Sequence, residues 1–305
     1  MPQQSSKIIF VPGIRPKPPA DQHKAELQRC LKAGLIRLEV AESEAETMAA
    51  ALDVVGWSWH FYGIHKDIET DRAGIDRLLR VDDAPDSVIA EARSPGRRLM
   101  SALYGFTDKF PALSEPFMTR RMETRVHEIR RYFRNRHGEA DALRSMVVKK
   151  LHQAWSLDER VLMLGHSFGS VIAYDALWEL SHTERNPGRV DMFVTMGSPL
   201  TLQFIRQHIK GVTERPERRY PTNVRRWINL AAIGEVTALD RRLADCFAGM
   251  LSGNCVESIE DNLEVVNQFR DPEGLNVHKC YGYMATPTVG RLVRDWYRGV
   301  PDLRP

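Results

Sequence analysis

Val161-Leu162-Met163-Leu164-Gly165-His166-Ser167-Phe168-Gly169-Ser170-Val171-Ile172-Ala173-Tyr174-Asp175-Ala176 decides how this chain is read. Val161 to Leu164 run apolar without alternation, as in a strand buried on both faces. Beyond Gly169 the apolar residues Val171, Ile172, Tyr174 and Leu177 return at helical spacing. Between strand and helix stands Gly-x-Ser-x-Gly, an elbow that holds Ser167 in a strained backbone conformation with its hydroxyl at the sheet edge. The two glycines let strand and helix approach with no Cβ between them.

Outward from the elbow, strand and helix alternate. Strands are expected at 7–11, 57–62, 160–164, 191–196, 224–230 and 263–269, and helices at 21–34 (with Gly34 as C-cap), 199–208, 239–250 and 286–298. Strands separated by helical stretches give an α/β fold: a mostly parallel central sheet of about six strands with helices on both faces. From 71 to 156 the pattern is helical with no strand, which reads as a helical cap inserted into a single domain spanning 1–305. Its arginines (among them Arg93, Arg120, Arg121, Arg125, Arg130, Arg131, Arg134 and Arg144) accompany an apolar series, Leu103, Tyr104, Phe106, Phe110, Leu113, Phe117 and Met118. Two readings fit: an amphipathic layer with its arginines in water, or a lid that admits a lipid-like or anionic substrate and touches a membrane surface transiently.

Bulk properties narrow the class. The 305 residues are 43% hydrophobic and 27% charged, enough for a sizeable core. A net charge of +3 is too mild to argue for nucleic acid. No apolar run approaches the length of a membrane span. The opening residues carry no signal-peptide pattern, and Cys30, Cys246, Cys255 and Cys280 form no Cys-x-x-Cys pair. Free thiols in the cytoplasm are therefore expected, with no metal knuckle. Oligomeric state is not legible.

A serine hydroxyl needs a base, and the base a carboxylate to fix its tautomer. On a parallel sheet these partners come later in the chain, at later strand ends. Of ten histidines, His23, His60, His65, His127 and His137 precede the elbow, His152 is helical and His166 flanks Ser167. His182 and His208 end helices. His278 alone follows a strand through a loop, and is the candidate base. The candidate acid is Glu235, behind Gly234 after the strand at 224–230. Asp240, placed as a helix N-cap, is the alternative, while Asp175 and Asp191 lie in the elbow helix and at a strand start.

These residues resemble the α/β-hydrolase superfamily of serine esterases and lipases. Gly165–Gly169 matches the elbow, and Gly197-Ser198-Pro199 the segment after the next strand. Trp227-x-Asn229 with Gly234-Glu235-Val236 resembles the strand and acid, Asn276-Val277-His278-x-x-Tyr281 the histidine loop, and Phe10-Val11-Pro12-Gly13-Ile14 the oxyanion turn. The resemblance covers roughly 7–70 and 160–300. Pro12 stands where His is usual, and Glu235 where Asp is more frequent. It implies a serine hydrolase acting on a small-molecule or lipid-like acyl ester through Ser167, His278 and Glu235, with no cofactor. The oxyanion donors implied are the backbone N–H groups of Phe168 and Ile14, or Arg15 in place of Ile14. Thioester and amide cleavage, an inactive binding scaffold and a membrane-surface adaptor remain open alternatives.

Overall fold

A computed structural model describes residues 5–81, 86–96, 120–235 and 242–300, with the side chains of 120–122 left out. Six strands form one all-parallel sheet: β1 Ser6–Val11, β2 Leu52–Val54, β3 Arg160–His166, β4 Val190–Met196, β5 Val224–Ala232 and β6 Ser258–Val265. Their spatial order is β2-β1-β3-β4-β5-β6. The chain leaves β1 in one direction for β2 and returns past it to β3. Strand order therefore reverses between β1 and β3, which opens a crevice at the carboxyl ends of those two strands.

Alternate side chains of each strand enter different cores. Ile8, Phe10, Leu162, Leu164, Ile228 and Leu230 pack with helices Ala20–Ile36, Glu42–Ala50 and Pro287–Tyr297. Ile9, Val11, Val161, Met163 and Phe193 pack with helices Glu139–Ser156 and Gly169–His182. Covering both faces explains why β1, β3 and β4 read as continuous apolar runs.

Several expected elements are corrected. Residues 57–62 are not a strand: the second strand is Leu52–Val54, and Ser58–Tyr62 is a short helix. Trp57 and Phe61, both buried, are spaced i, i+4, a helical interval that the aromatic run disguised. The last strand is Ser258–Val265 rather than 263–269. It lies at the sheet edge with mostly half-buried residues, so it lacks the apolar run of an inner strand. Gly34 is no C-cap but sits inside the helix Ala20–Ile36, where a Cβ would come within 3.1 Å of Met284 O and 3.0 Å of Thr286 O. The helix expected at 199–208 is a 3₁₀ turn, Pro199–Thr201, followed by Gln203–Arg206. That expected at 239–250 is two short pieces, Leu243–Cys246 and Ala248–Ser252; Asp240 lies outside the described residues.

No strand occurs among the described residues of 71–156, which include helices Glu69–Leu79, Asp86–Ala92, Arg120–Arg134 and Glu139–Ser156. The last of these lies on the sheet, not above its edge: Leu143, Val147 and Leu151 are buried against the β1–β3 face. Its Arg144 is buried as well and donates from Nε to Glu179 at 2.8 Å. The apolar series from Leu103 to Met118, with Arg97 and Arg98, lies outside the described residues. Among the described residues no helix is long and apolar enough to cross a membrane.

Candidate active site

Parallel pairing sets Val11 beside Gly165, so the turns that follow β1 and β3 are packed together. A Cβ on Gly13 would lie 2.7 Å from Ser167 Cβ, and one on Gly169 only 2.2 Å from Val11 O. Gly165 is equally closed, with Ser170 Cα 2.7 Å from the place of its absent Cβ. Ser167 itself has φ 52°, a left-handed conformation rare for a side chain of its kind. Its N–H donates to Met196 O at 2.8 Å, and its carbonyl accepts from Ser170 Oγ at 2.6 Å. The strain is held by this enclosure.

Glu235 and His278 reach the same point from distant segments. Glu235 leaves β5 through a tight turn at Gly234, φ 79°, and its side chain is 3% exposed. His278 follows β6 and a small hairpin of Arg270–Asp271 with Gly274–Leu275, its N–H donating to Asn276 Oδ1 at 3.2 Å. Ser167 Oγ lies 2.9 Å from His278 Nε2, and His278 Nδ1 lies 3.0 and 2.9 Å from the two Glu235 oxygens. The three residues singled out in the sequence therefore meet in one hydrogen-bonded line, the hydroxyl at one end and a buried carboxylate at the other. In that line Ser167 Oγ–H donates to Nε2 and Nδ1–H donates to the carboxylate.

The other acids and histidines are engaged elsewhere. Asp191 accepts from Arg160 Nε and Trp296 Nε1, both at 2.9 Å. Asp175 accepts from Tyr132 Oη and the Lys210 N–H, both at 2.8 Å. His182 Nε2–H donates to Tyr220 O and His208 Nδ1–H to Phe204 O, each at 2.7 Å.

Three supporting groups were not read from the sequence. Tyr283 Oη–H donates to Glu235 Oε2 at 3.2 Å while accepting the Ala232 N–H at 2.8 Å, which ties the acid to its own strand. Gly197 (φ 54°) borders the His–Glu contact so closely that a Cβ would stand 2.9 Å from Glu235 Oε2 and 3.0 Å from His278 Nδ1. His166, known only as a flank of Ser167, donates from Nε2 to His278 O at 2.7 Å and so fastens the base's loop to the elbow. Burial, and next His278, hold its pKa well below the ordinary imidazole value, so it stays neutral with its proton on Nε2. Only the Gly197-Ser198-Pro199 segment had a legible signal.

The Phe168 N–H opens the helix Gly169–His182, where the helix dipole favours negative charge. Neither it nor the Ile14 N–H donates to a protein acceptor among the described residues, whereas the Arg15 N–H donates to Tyr62 Oη at 2.7 Å. Of the two turn residues considered, Ile14 thus has the available donor. Ser167, His278, Phe168 and Ile14 all line a cavity of about 600 Å³, bordered also by Ile129 and Arg130 of the helix Arg120–Arg134. Phe133 of that helix meets Phe168 edge-on, ring centroids 6.0 Å apart. Among the described residues no group of three or more His, Cys, Asp or Glu side chains could hold a metal ion. No family model matches the chain, and comparison with curated proteins and with solved structures finds no match either.

Proposed function

We propose that the chain is a serine hydrolase of the α/β-hydrolase fold that cleaves carboxylic esters through an acyl-enzyme. One observation carries this reading: the Ser167–His278–Glu235 line, with Ser167 held at φ 52° beside backbone donors that no described residue engages. His278 Nε2 takes the Ser167 proton as Oγ attacks the ester carbonyl carbon, and Glu235 stabilises the imidazolium that forms. The carbonyl oxygen, now negative, receives hydrogen bonds from the Phe168 and Ile14 N–H groups; one such donor contributes about 3 kcal/mol to transition-state stabilisation. The tetrahedral intermediate collapses, the C–O bond to the alcohol breaks, and the alcohol leaves with the proton from His278. Water then repeats the sequence on the acyl-enzyme and frees the acid.

The helix Arg120–Arg134 serves as the described part of a cap that shapes the substrate's approach. The free thiols of Cys30, Cys246, Cys255 and Cys280 accord with a cytoplasmic setting. Hydrolysis of p-nitrophenyl esters from acetate to long-chain acyl groups tests the reading, with Ser167→Ala alongside. Turnover by wild type and none by the variant is expected; equal turnover by both would overturn it.

A further inference from the structure

The cavity at Ser167 is unequal on its two sides. Ile129, Phe168 and Ile205 give it apolar surface from elements packed with one core, interrupted by Arg125 and Arg130 on Ile129's own helix. Another stretch of the lining carries Lys17, Lys66 and Lys279, with Asp71 among them. We propose that this basic wall binds an anionic group, a carboxylate or a phosphate, carried by the ester that Ser167 attacks. The inference rests on the serine-hydrolase reading and adds its substrate class.

The charge arithmetic is local. Asp71 accepts from Lys66 Nζ at 2.7 Å and from Lys279 Nζ at 2.6 Å, so one carboxylate serves two ammonium groups. Lys17 Nζ donates to the Ile14 and Arg15 carbonyls at 2.7 and 3.2 Å and forms no ion pair among the described residues. Arg125 and the exposed Arg130 add two cations to the same lining, and Glu128, which acts on Lys17, Arg15 and Arg125, adds one carboxylate beside it, so cations still outnumber carboxylates. Cations partly withdrawn from water and short of counter-charge are unfavourable unless an anion joins them. The crowding shows in Lys17, which burial, and then the charges of Lys279, Lys66 and Arg15, bring down to about 8. Lys66 is likewise lowered, by burial first and by Lys279. If Lys17 served only to hold the turn at Ile14 and Arg15, any neutral donor would suffice there.

Two matched pairs test the proposal: mono-p-nitrophenyl glutarate against p-nitrophenyl butyrate, and butyryl glycerol 3-phosphate against glycerol monobutyrate. The first pair places the anion on the acyl side, the second on the alcohol side. In at least one pair, wild type is expected to favour the anionic ester by tenfold or more in kcat/KM. Lys17→Gln, which keeps a donor for the turn, and Lys66→Gln should each cut that ratio at least fivefold, chiefly through KM. A ratio near one in both pairs, or a ratio that survives both substitutions, overturns the proposal while leaving the hydrolase reading intact. If wild type turns over none of the four esters and no p-nitrophenyl ester from acetate to long-chain acyl groups, the hydrolase reading fails, and calorimetry with phenyl phosphate decides the basic wall by itself. Saturable binding weakened tenfold in Lys17→Gln then supports an anion site, and no binding rejects it.

Discussion

The elbow and the His278–Glu235 pair meet at one point but are built in opposite ways. The elbow is local: five consecutive residues, closed by glycines at positions where a Cβ would strike backbone, hold one strained serine. The pair is assembled over distance, with Glu235 and His278 43 positions apart in the chain and Ser167 and His278 111 positions apart, and hydrogen bonds hold it. Steric closure tolerates no added atom, whereas a hydrogen-bonded assembly can lose one partner and keep its shape. Damage to the elbow's glycines should therefore unfold the chain, and damage to the pair should leave a folded, impaired protein.

The largest effect isolates chemistry from fold: Ser167→Ala should lower kcat by roughly 10⁵-fold or more with little change in Tm. Glu235→Gln should cost about 10³- to 10⁴-fold in kcat, since the amide cannot hold His278 in the right tautomer, again with a normal circular-dichroism melt. Gly169→Ala should destabilise by more than about 4 kcal/mol or abolish soluble expression, because its Cβ would stand 2.2 Å from Val11 O. A Gly169→Ala variant that melts like wild type would break the comparison. Gly197→Ala sharpens it, as its Cβ intrudes between the pair: kcat should fall about 10²-fold in a folded protein. Tyr283→Phe should cost less than about tenfold in kcat and about 1–2 kcal/mol in stability, because the buried Ala232 N–H loses its acceptor.

Asp175 supplies a pH prediction for the elbow's own helix. Burial, opposed by the Lys210 and Tyr132 hydrogen bonds, raises its carboxyl from 3.8 to about 6. Between those values the folded chain keeps a proton that the unfolded chain has released, so stability declines as pH rises from about 4 to about 6 and levels off above. The decline is at most roughly 3 kcal/mol. Asp175→Asn should remove it, which urea melts across that range would show.

What the sequence disclosed follows the same division. The elbow was legible because an apolar strand, two glycines and a helix with apolar residues at helical spacing all sit within sixteen residues of one another. His278 and Glu235 could be reached by chain order, since a parallel sheet returns each later loop to the same edge. Tyr283, Gly197 and His166 act through contacts that only the folded topology creates, and Lys17 and Lys279 line one cavity although more than 260 positions apart in the chain. The strand at Ser258–Val265 stayed hidden because its edge position lets polar residues such as Glu260 and Asp261 stand in it. The helix at Ser58–Tyr62 stayed hidden because five residues are too few for a helical period to outweigh aromatic strand preference.

The most direct test of the account is covalent labelling with an alkyl fluorophosphonate, followed by peptide mass spectrometry. The reagent reports activation of a serine nucleophile and needs no knowledge of the substrate. The account predicts a single adduct on Ser167, lost in His278→Ala and in Ser167→Ala. No adduct on the folded wild-type protein, or equal labelling in His278→Ala, would contradict it.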